Sequence, residues 1–592
     1  MIDSIPARLL ARGRAHGEAP AYSVRQDNGT WTPTPYRQYS QQVQDVCRSL
    51  VKLGFNAGDT TAILGFNRPE WVVFDVATMM AGGAPAGIYT TCSPSEVQYI
   101  LHHSGSGFAL LEDANQWGKV LAELENLPDL RHVIMMKGAE DIEHELVMSW
   151  DDFIACGQDV DENVIEERLN LLEADQIATF IYTSGTTGPP KAVMLSHKNL
   201  TWTADKAAKI STMQADDTSV SYLPLSHIAE QMFSIHAPIT MGSSIYFAES
   251  IERVADNLKE VQPSVLFGVP RIWEKMHAKV SAKMAEATGV KAKILSWSMK
   301  VGRASSDLRN RGASPGLLFS LKHKMAHRLL FSKIKPLMGL ANARMCVTGA
   351  APISAEILEW FAGLDVTIHE VYGQSEDCGP TSFNLIGQTR FGTVGPALEG
   401  TEVRIADDGE ICVRGPHVFL GYYKDQAATD EALIDGWLHS GDLGSFDADG
   451  YLTITGRKKE IIITAGGKNI APKNIEAALK NLPIVSQAVV IGDRRKFLSA
   501  LITLDPEAAE AWAEAHSLPL EGIHAHPQLI QAIDADIESK VNTLFARVEH
   551  VRKFTVLERD FSIDHGELTP TLKIKRSPIN ENWSDTIEAM YV

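Results

Sequence analysis

An uninterrupted apolar run long enough to cross a bilayer is missing from the 592-residue sequence, which argues against a transmembrane helix. Cysteine is scarce. The six residues Cys47, Cys92, Cys156, Cys346, Cys378 and Cys412 are widely spaced and never form CxxC, so neither a zinc site nor a disulfide framework is suggested. They read as reduced cytosolic thiols packed as small apolar groups, and none stands in a convincing Cys–His arrangement. Positive charge is in deficit, with 55 Lys and Arg against 74 Asp and Glu; the resulting net charge of −19 opposes nucleic-acid binding. The first twenty residues lack the basic, apolar and small-residue order of a secretion signal, so the expected location is cytoplasmic. What remains has the composition of a soluble globular protein, 44% hydrophobic and 22% charged. Its length exceeds what one hydrophobic core covers, so two or more lobes are expected.

Strand and helix patterns alternate through the first two thirds, as in Thr60-Thr-Ala-Ile-Leu-Gly65 followed by Pro69 to Met80, which predicts crossover units and mainly parallel sheets. From Glu402 to Arg414 two alternating segments flank Asp408-Gly409, a tight-turn signal that predicts an antiparallel hairpin. A break follows near Gly456-Arg457-Lys458-Lys459. Beyond it we expect a strand at Glu460 to Thr464, a helix opened by Pro472 and a strand at Gln487 to Ile491. The fold class expected is α/β: a large N-terminal domain over residues 1–456, built of parallel-sheet α/β subdomains and a small β-barrel-like subdomain, with a mobile α+β domain over residues 457–592.

The segment Thr183-Ser-Gly-Thr-Thr-Gly-Pro-Pro-Lys191 follows a β-branched and aromatic run, Ile177 to Thr183. Gly185 and Gly188 allow backbone N–H groups to approach phosphate oxygens, while Thr183, Ser184, Thr186 and Thr187 offer hydroxyls and Lys191 a positive charge. Such a loop suits a polyphosphate. It is not a Walker A loop, because Pro189 and Pro190 precede the lysine and Ala192 to Leu195 reads as a strand rather than a helix.

This loop resembles the signature of the adenylate-forming superfamily, and further motifs of that superfamily follow in order. Tyr222-Leu-Pro-Leu-Ser-His227 resembles the segment whose histidine lies near the acyl carboxylate. Val347-Thr-Gly349-Ala350-Ala351-Pro352 resembles the adenine-pocket lining. Glu370-Val-Tyr372-Gly373-Gln-Ser375-Glu376 is similar to the segment that supplies an adenine-stacking tyrosine and a magnesium-binding glutamate. Trp437 to Asp442 and Gly456-Arg457 match the ribose-binding aspartate and arginine. Two departures stand out: Ser375 replaces a commoner threonine and keeps its hydroxyl, and Lys468 replaces a commoner glutamate.

The resemblance implies ATP-dependent activation of a carboxylic acid to an acyl adenylate, with release of pyrophosphate and then transfer to coenzyme A. Glu376 and Thr183 would hold Mg2+, and Ser184, Thr186 and Lys191 would surround the leaving pyrophosphate. Asp442 can accept from both ribose hydroxyls, and Tyr372 offers a flat face to adenine. The family pattern places a pivot at Lys459, a pantetheine-tunnel position at Gly466, beside Gly467, and an adenylation lysine in Glu567-Leu-Thr-Pro-Thr-Leu-Lys-Ile-Lys-Arg576. That stretch holds two candidates, Lys573 and Lys575, and alignment through the intervening Ile574 favours Lys573. The expected catalytic set is thus Lys573, His227, Thr183 and Glu376.

Phe267-Gly-Val-Pro-Arg-Ile-Trp-Glu-Lys275 and Ser226-His-Ile-Ala-Glu-Gln-Met232 resemble long-chain acyl-CoA synthetases, most closely their bubblegum-type branch. The acid implied is a long-chain fatty acid. Alternative fates for the acyl group are a carrier-protein thiol or none, in a silent acyl- or nucleotide-binding homologue. From Lys275 to Lys335 fourteen Lys and Arg stand against Glu286 and Asp307, in a molecule of the opposite overall sign. Leu295, Trp297, Met299, Leu317, Leu318, Phe319 and Leu321 are interleaved with them. The segment reads as a surface resting on anionic membrane or attracting CoA phosphates, or as a helical excursion whose apolar residues pack inward.

Overall fold

The computed structural model describes residues 1–183, 189–466, 468–569 and 573–592. The proposed phosphate-loop residues Ser184, Gly185, Thr186, Thr187 and Gly188 lie outside the described residues, as does Gly467.

An eight-stranded sheet forms the centre of the first lobe. Its spatial order runs Gly421–Tyr422, Lys191–Ser196, Ile177–Thr183, Ala84–Ile88, Thr60–Leu64, Phe108–Leu111, His132–Met135 and Val147–Ser149. From Ile177–Thr183 to Val147–Ser149 every pairing is parallel, and these strands are mostly buried on both faces, as helix-covered parallel strands must be. The helix Pro69–Met80 begins on its proline, carries Glu70 in its first turn and is buried along almost its whole length. Toward the phosphate loop the direction reverses, because Ile177–Thr183 and Lys191–Ser196 form an antiparallel pair with Thr183 opposite Lys191. The expectation of mainly parallel sheets holds, and antiparallel pairing is kept to the sheet edges.

Two four-stranded sheets complete the α/β part, each mostly parallel with one antiparallel edge strand. One contains Val265–Gly268, Met345–Thr348 and Ile368–Tyr372, whose C-terminal ends carry the Gly349 and Gly373 loops. The predicted hairpin forms between Glu402–Ile405 and Glu410–Arg414, with Gly409 at φ +86° in the turn. Those strands join Trp437–Phe446, Leu433–Ile434 and Leu452–Arg457 in an antiparallel sheet. No pairing among the described residues closes it, so the β-barrel-like expectation becomes an open five-stranded sheet.

Beyond Arg457 the chain forms a separate α+β lobe around the strands Val485–Ile491, Leu498–Leu504 and Val551–Val556, with the helix Pro472–Lys480 packed on them. The predicted strand Glu460–Thr464 shrinks to Ile462–Ile463, because Lys458–Glu460 is a 3₁₀ turn in which Lys458 reaches Asp408 and Glu410. Among the described residues two apolar clusters fill this lobe and three fill the first, and none draws residues from both sides of Arg457. The two lobes meet through polar contacts instead. Arg271 lies 3.5 Å from Asp505 and donates to Ser486, and Lys480 lies 3.7 Å from Glu274.

Among the described residues no helix is long and apolar enough to cross a membrane. All six cysteines are free, and five are buried.

Candidate active site

The site is built where strand ends of three sheets converge. At the first, register fixes Thr183 against Lys191, and the Thr183 hydroxyl donates to the Lys191 carbonyl at 3.4 Å. The Lys191 ammonium sits 4.9 Å from the centroid of the Tyr422 ring. Tyr422 comes from the edge strand Gly421–Tyr422 and donates its hydroxyl to Glu376 at 2.8 Å. One tyrosine thus links the lysine of the phosphate loop to the expected metal ligand. Nothing in the sequence pointed to it, since 46 residues separate it from Glu376.

Ile368–Tyr372 delivers the second group. Its last residue, Tyr372, is buried and donates to Asp442 at 3.0 Å; burial, then Asp442 and Asp377, hold its phenol well above the ordinary value. Gly373 follows, and a Cβ there would fall 1.4 Å from the Gly379 carbonyl oxygen, so only glycine permits the chain to double back. The buried Asp377 braces this turn by accepting from the Gln374 N–H at 2.6 Å and the Thr381 hydroxyl at 2.8 Å. Gln374 Nε2 then donates to Asp442 at 2.6 Å and to the Ser440 carbonyl at 2.9 Å. Ser375 is buried beside it, and Glu376 is half-buried.

Asp442 and Arg457 are supplied by paired strands and stand opposite each other in register, with Arg457 Nε 3.4 Å from the carboxylate. Burial works against the Arg457 charge, but Asp442, Glu460 and Glu376 outweigh it and raise its pKa. Asp442 is therefore the hub: Tyr372, Gln374 and Arg457 all converge on it. Gln374 was not singled out from sequence, although it lies inside the quoted motif.

His227 precedes the short helix Ile228–Gln231, and its Nδ1 accepts from the Ala229 N–H at 3.1 Å. That bond leaves the proton of the neutral ring on Nε2. Burial, followed by repulsion from Lys573, lowers its pKa to about 3, so the ring stays neutral throughout the physiological range. Three residues on, the buried Glu230 accepts from Ser221 at 2.7 Å and Ser234 at 2.6 Å, fixing the helix to the neighbouring strand.

Lys573 is the one of the two candidate lysines that the structure brings to this charge cluster. It faces water at the cleft mouth, yet the protein mass around the cleft lowers its pKa, and Arg457 and Lys473 push the same way against Asp442 and Glu376. Its backbone is pinned by Thr569, whose hydroxyl accepts from the Lys573 N–H at 3.0 Å and whose own N–H donates to the Lys573 carbonyl. Lys575 instead precedes the helix Arg576–Asn582.

The remaining expected residues lie at graded distances from the hub. Gly349 is buried with Val371 Cγ1 2.5 Å from where a Cβ would be, while Ala350, Ala351 and Pro352 line an exposed loop in which Ala350 has φ +65°. The Glu370 carboxylate turns away to accept from the Gly392 N–H at 3.0 Å, and burial raises its pKa to about 8. Gly466 lies on an exposed turn of the second lobe and makes no described contact with the Asp442 cluster.

Strand register brings one cysteine to a histidine without making it a thiolate. Strand register places Cys412 opposite His439, with Sγ 3.7 Å from Nδ1, and Glu410 completes a group whose spacing could admit a metal ion. Lys458 already meets Glu410 at 3.2 Å, and burial, then Glu410, raises the Cys412 pKa. The group is a neutralised ion network rather than a thiolate.

A model of the AMP-binding enzyme family matches residues 10–423, and one of the AMP-binding enzyme C-terminal domain matches residues 459–592. The chain belongs to the AMP-binding enzyme family. It is 37% identical to the long-chain-fatty-acid–CoA ligase ACSBG2 of Xenopus laevis, over 97% of this chain and 82% of that one. It is 36% identical to the long-chain-fatty-acid–CoA ligase FadD15 of Mycobacterium bovis, over 100% and 97%. Among solved structures of AMP-binding enzymes it resembles the anthranilate CoA ligase AuaEII in complex with anthranoyl-AMP. The TM-score is 0.74 at 20% identity, covering 98% of this chain and 97% of that one. It also resembles the O-succinylbenzoate coenzyme A synthetase of Bacillus subtilis, with a TM-score of 0.68 at 21% identity, covering 96% and 98%. These likenesses establish the fold and agree with the architecture anticipated from the motifs.

Proposed function

We propose that this AMP-binding enzyme is a long-chain-fatty-acid–CoA ligase that forms acyl-AMP, releases pyrophosphate and passes the acyl group to coenzyme A. The observation that carries the reading is the convergence of Lys573, from the second lobe, on Arg457, Asp442, Glu376 and the neutral His227 of the cleft. The length and identity shared with two long-chain ligases support the choice of acid.

In the first half-reaction a carboxylate oxygen bonds to the α-phosphorus of ATP, and the bond from that phosphorus to the bridging oxygen of the β-phosphate breaks. Two anions must meet, and charge accumulates on the equatorial oxygens. His227 Nε2–H donates to the acyl carboxylate without adding or removing charge. Lys573 and Arg457 offset the developing negative charge, and Lys191 faces the departing pyrophosphate. Asp442 accepts from the ribose hydroxyls, while its bonds to Tyr372 and Gln374 hold it in place. Glu376, whose one oxygen is bound by Tyr422, and Thr183 are the residues fitted to hold Mg2+, which when bound neutralises phosphate charge.

In the second half-reaction the sulfur of coenzyme A bonds to the acyl carbonyl carbon, losing its proton, and the bond from that carbon to the phosphate oxygen breaks to release AMP; the buried Cys47, Cys92, Cys346 and Cys378 thiols, pushed up to about 12, do not compete. Rotation of the residue 457–592 lobe about Lys459 would withdraw Lys573 and bring Gly466 to the pantetheine arm. The acid partitions into bilayers, so we place the enzyme in the cytoplasm at the inner face of a membrane.

A pyrophosphate-release assay over a fatty-acid chain-length series, with and without CoA, tests the reading. Acid-dependent release that peaks at long chains, with acyl-CoA formed when CoA is added, is expected. No release at any chain length would remove the proposal, and acyl-AMP formed without CoA consumption would redirect it to a carrier-protein thiol.

A further inference from the structure

The basic segment anticipated from sequence splits into two populations. Leu295, Trp297, Met299 and Phe319 pack against the apolar cluster around Trp273 and Phe361. The long helix Gly289–Asn310 that carries the first three is docked firmly. Its Gly302 lies so close to Gly363 that a Cβ would come within 2.2 Å of the Gly363 carbonyl oxygen, and Ser306 bonds Thr367 at 3.0 Å. The following helix, Leu317–Ala326, rides on that base, continuing into a π-helical turn His327–Phe331. Here the apolar residues face water: Leu317 is 92% exposed, Leu318 80%, Leu321 68% and Met325 51%, with Leu329 also exposed.

At about 100° per residue these side chains fall in one arc roughly 120° wide. Phe319, Ala326 and Leu330, which occupy the opposite face, are the ones in contact with the core. Lys322 and Lys324 border the stripe on either side, and Arg328 and Lys333 continue the charge; all four are exposed and have no carboxylate partner among the described residues. Asp365 is instead surrounded by Arg309, His323 and Lys335, within 2.8–3.2 Å on the inward side. The sequence contains no Asp or Glu between Asp307 and Glu356.

We propose that the helix Leu317–Ala326 and its continuation to Leu329 dock the enzyme on an anionic lipid bilayer, lying in the interface with the leucine stripe inserted and the lysines at headgroup level. The ten-residue helix is about 15 Å long, half the thickness of a hydrocarbon core, so it lies along the surface rather than spanning it. Apolar contact alone would suit a second copy of the chain equally well, but the bordering cations of two copies would then face each other. Charge complementarity selects a negatively charged surface, and on a molecule of −19 overall this lysine-bordered stripe is locally positive and is drawn toward one. The inference adds a surface to the proposed membrane location and does not depend on the catalytic reading.

Full-length protein without ATP, CoA or fatty acid is sedimented with vesicles of phosphatidylcholine, alone or mixed with phosphatidylglycerol. Binding to the mixed vesicles that weakens with salt is expected. The Lys322→Glu/Lys324→Glu/Arg328→Glu variant should partition at least about a hundredfold less, and Leu317→Ser/Leu318→Ser/Leu321→Ser should lose binding while remaining folded by circular dichroism, since these side chains are exposed. Wild-type protein that ignores anionic vesicles overturns the proposal, as does unchanged binding by both variants. So does a leucine variant whose only change is from dimer to monomer in analytical ultracentrifugation. Retained pyrophosphate release alongside failed docking would leave the catalytic proposal standing.

Discussion

Lys573 works in a place that favours its neutral form, with Arg457 and Lys473 beside it. Its lowered pKa has a direct kinetic sign: the protonated ammonium is lost on the alkaline side sooner than in an ordinary lysine. Adenylation, followed as pyrophosphate release, should therefore begin its alkaline decline at a lower pH than an ordinary lysine would impose, and Lys573→Arg, which keeps its charge, should carry the limb further into alkali. Lys573→Ala should lower that half-reaction about a hundredfold or more while leaving thioester formation from supplied acyl-AMP nearly intact. His227 gives the complementary result, since a ring that stays neutral down to about pH 3 contributes no acid limb between pH 5 and 7. Tyr422→Phe removes the hydroxyl that fixes Glu376. A Mg2+ titration of the same assay should show half-saturation displaced several-fold upward, as loss of an outer hydrogen bond to a metal ligand commonly does.

Most of this chemistry was legible as motif runs because its residues are neighbours in the chain: Tyr372, Gly373, Ser375 and Glu376 share one strand end and its loop. Tyr422 and the Cys412–His439 pair were not legible, since both depend on strand register between distant segments, which side-chain periodicity alone leaves open.

Among elements, the helix Ile228–Gln231 and the turn after Ile368–Tyr372 are each held by a buried carboxyl. Burial raises the pKa of Glu230 to about 7 despite its hydroxyl donors, and that of Asp377 to about 8. A carboxyl with a raised folded-state pKa supports the fold fully below its unfolded value, and that support is lost as pH rises through the folded one. Thermal stability measured from pH 5 to 8 should fall in the wild type relative to Glu230→Gln, which has no proton to lose. Gly373→Ala addresses the turn itself. With no room for a methyl group against the Gly379 carbonyl, the variant should lose several kcal/mol, about 3 or more, in denaturant unfolding, together with its activity. The element that sequence misjudged, Glu460–Thr464, shows tertiary demand overriding propensity: three consecutive isoleucines favour a strand, but Lys458 is drawn to Asp408 and Glu410 and the chain turns there first.

At the scale of the molecule, the stretch Phe267 to Lys275 acquires a second meaning. It resembles long-chain relatives, yet Arg271 and Glu274 are also the residues that touch Asp505, Ser486 and Lys480 of the second lobe. Arg271→Glu should slow adenylation by disfavouring the arrangement that presents Lys573, while supplied acyl-AMP is still converted to acyl-CoA. Division into lobes was visible in the sequence as the break at Gly456-Arg457, whereas the partners across the cleft were not, because they join segments more than 200 residues apart.

The seam between the lobes has a thermodynamic consequence of its own. Among the described residues no apolar cluster bridges it, so swinging the second lobe away hydrates charges and amides and little hydrocarbon. Such a step carries only a small heat-capacity change, and its balance between open and closed forms shifts little with curvature in temperature. Dissolved ions, which weaken contacts such as Arg271–Asp505, are then its natural throttle, and the ratio of the two half-reactions becomes a property of the surrounding electrolyte as much as of the enzyme.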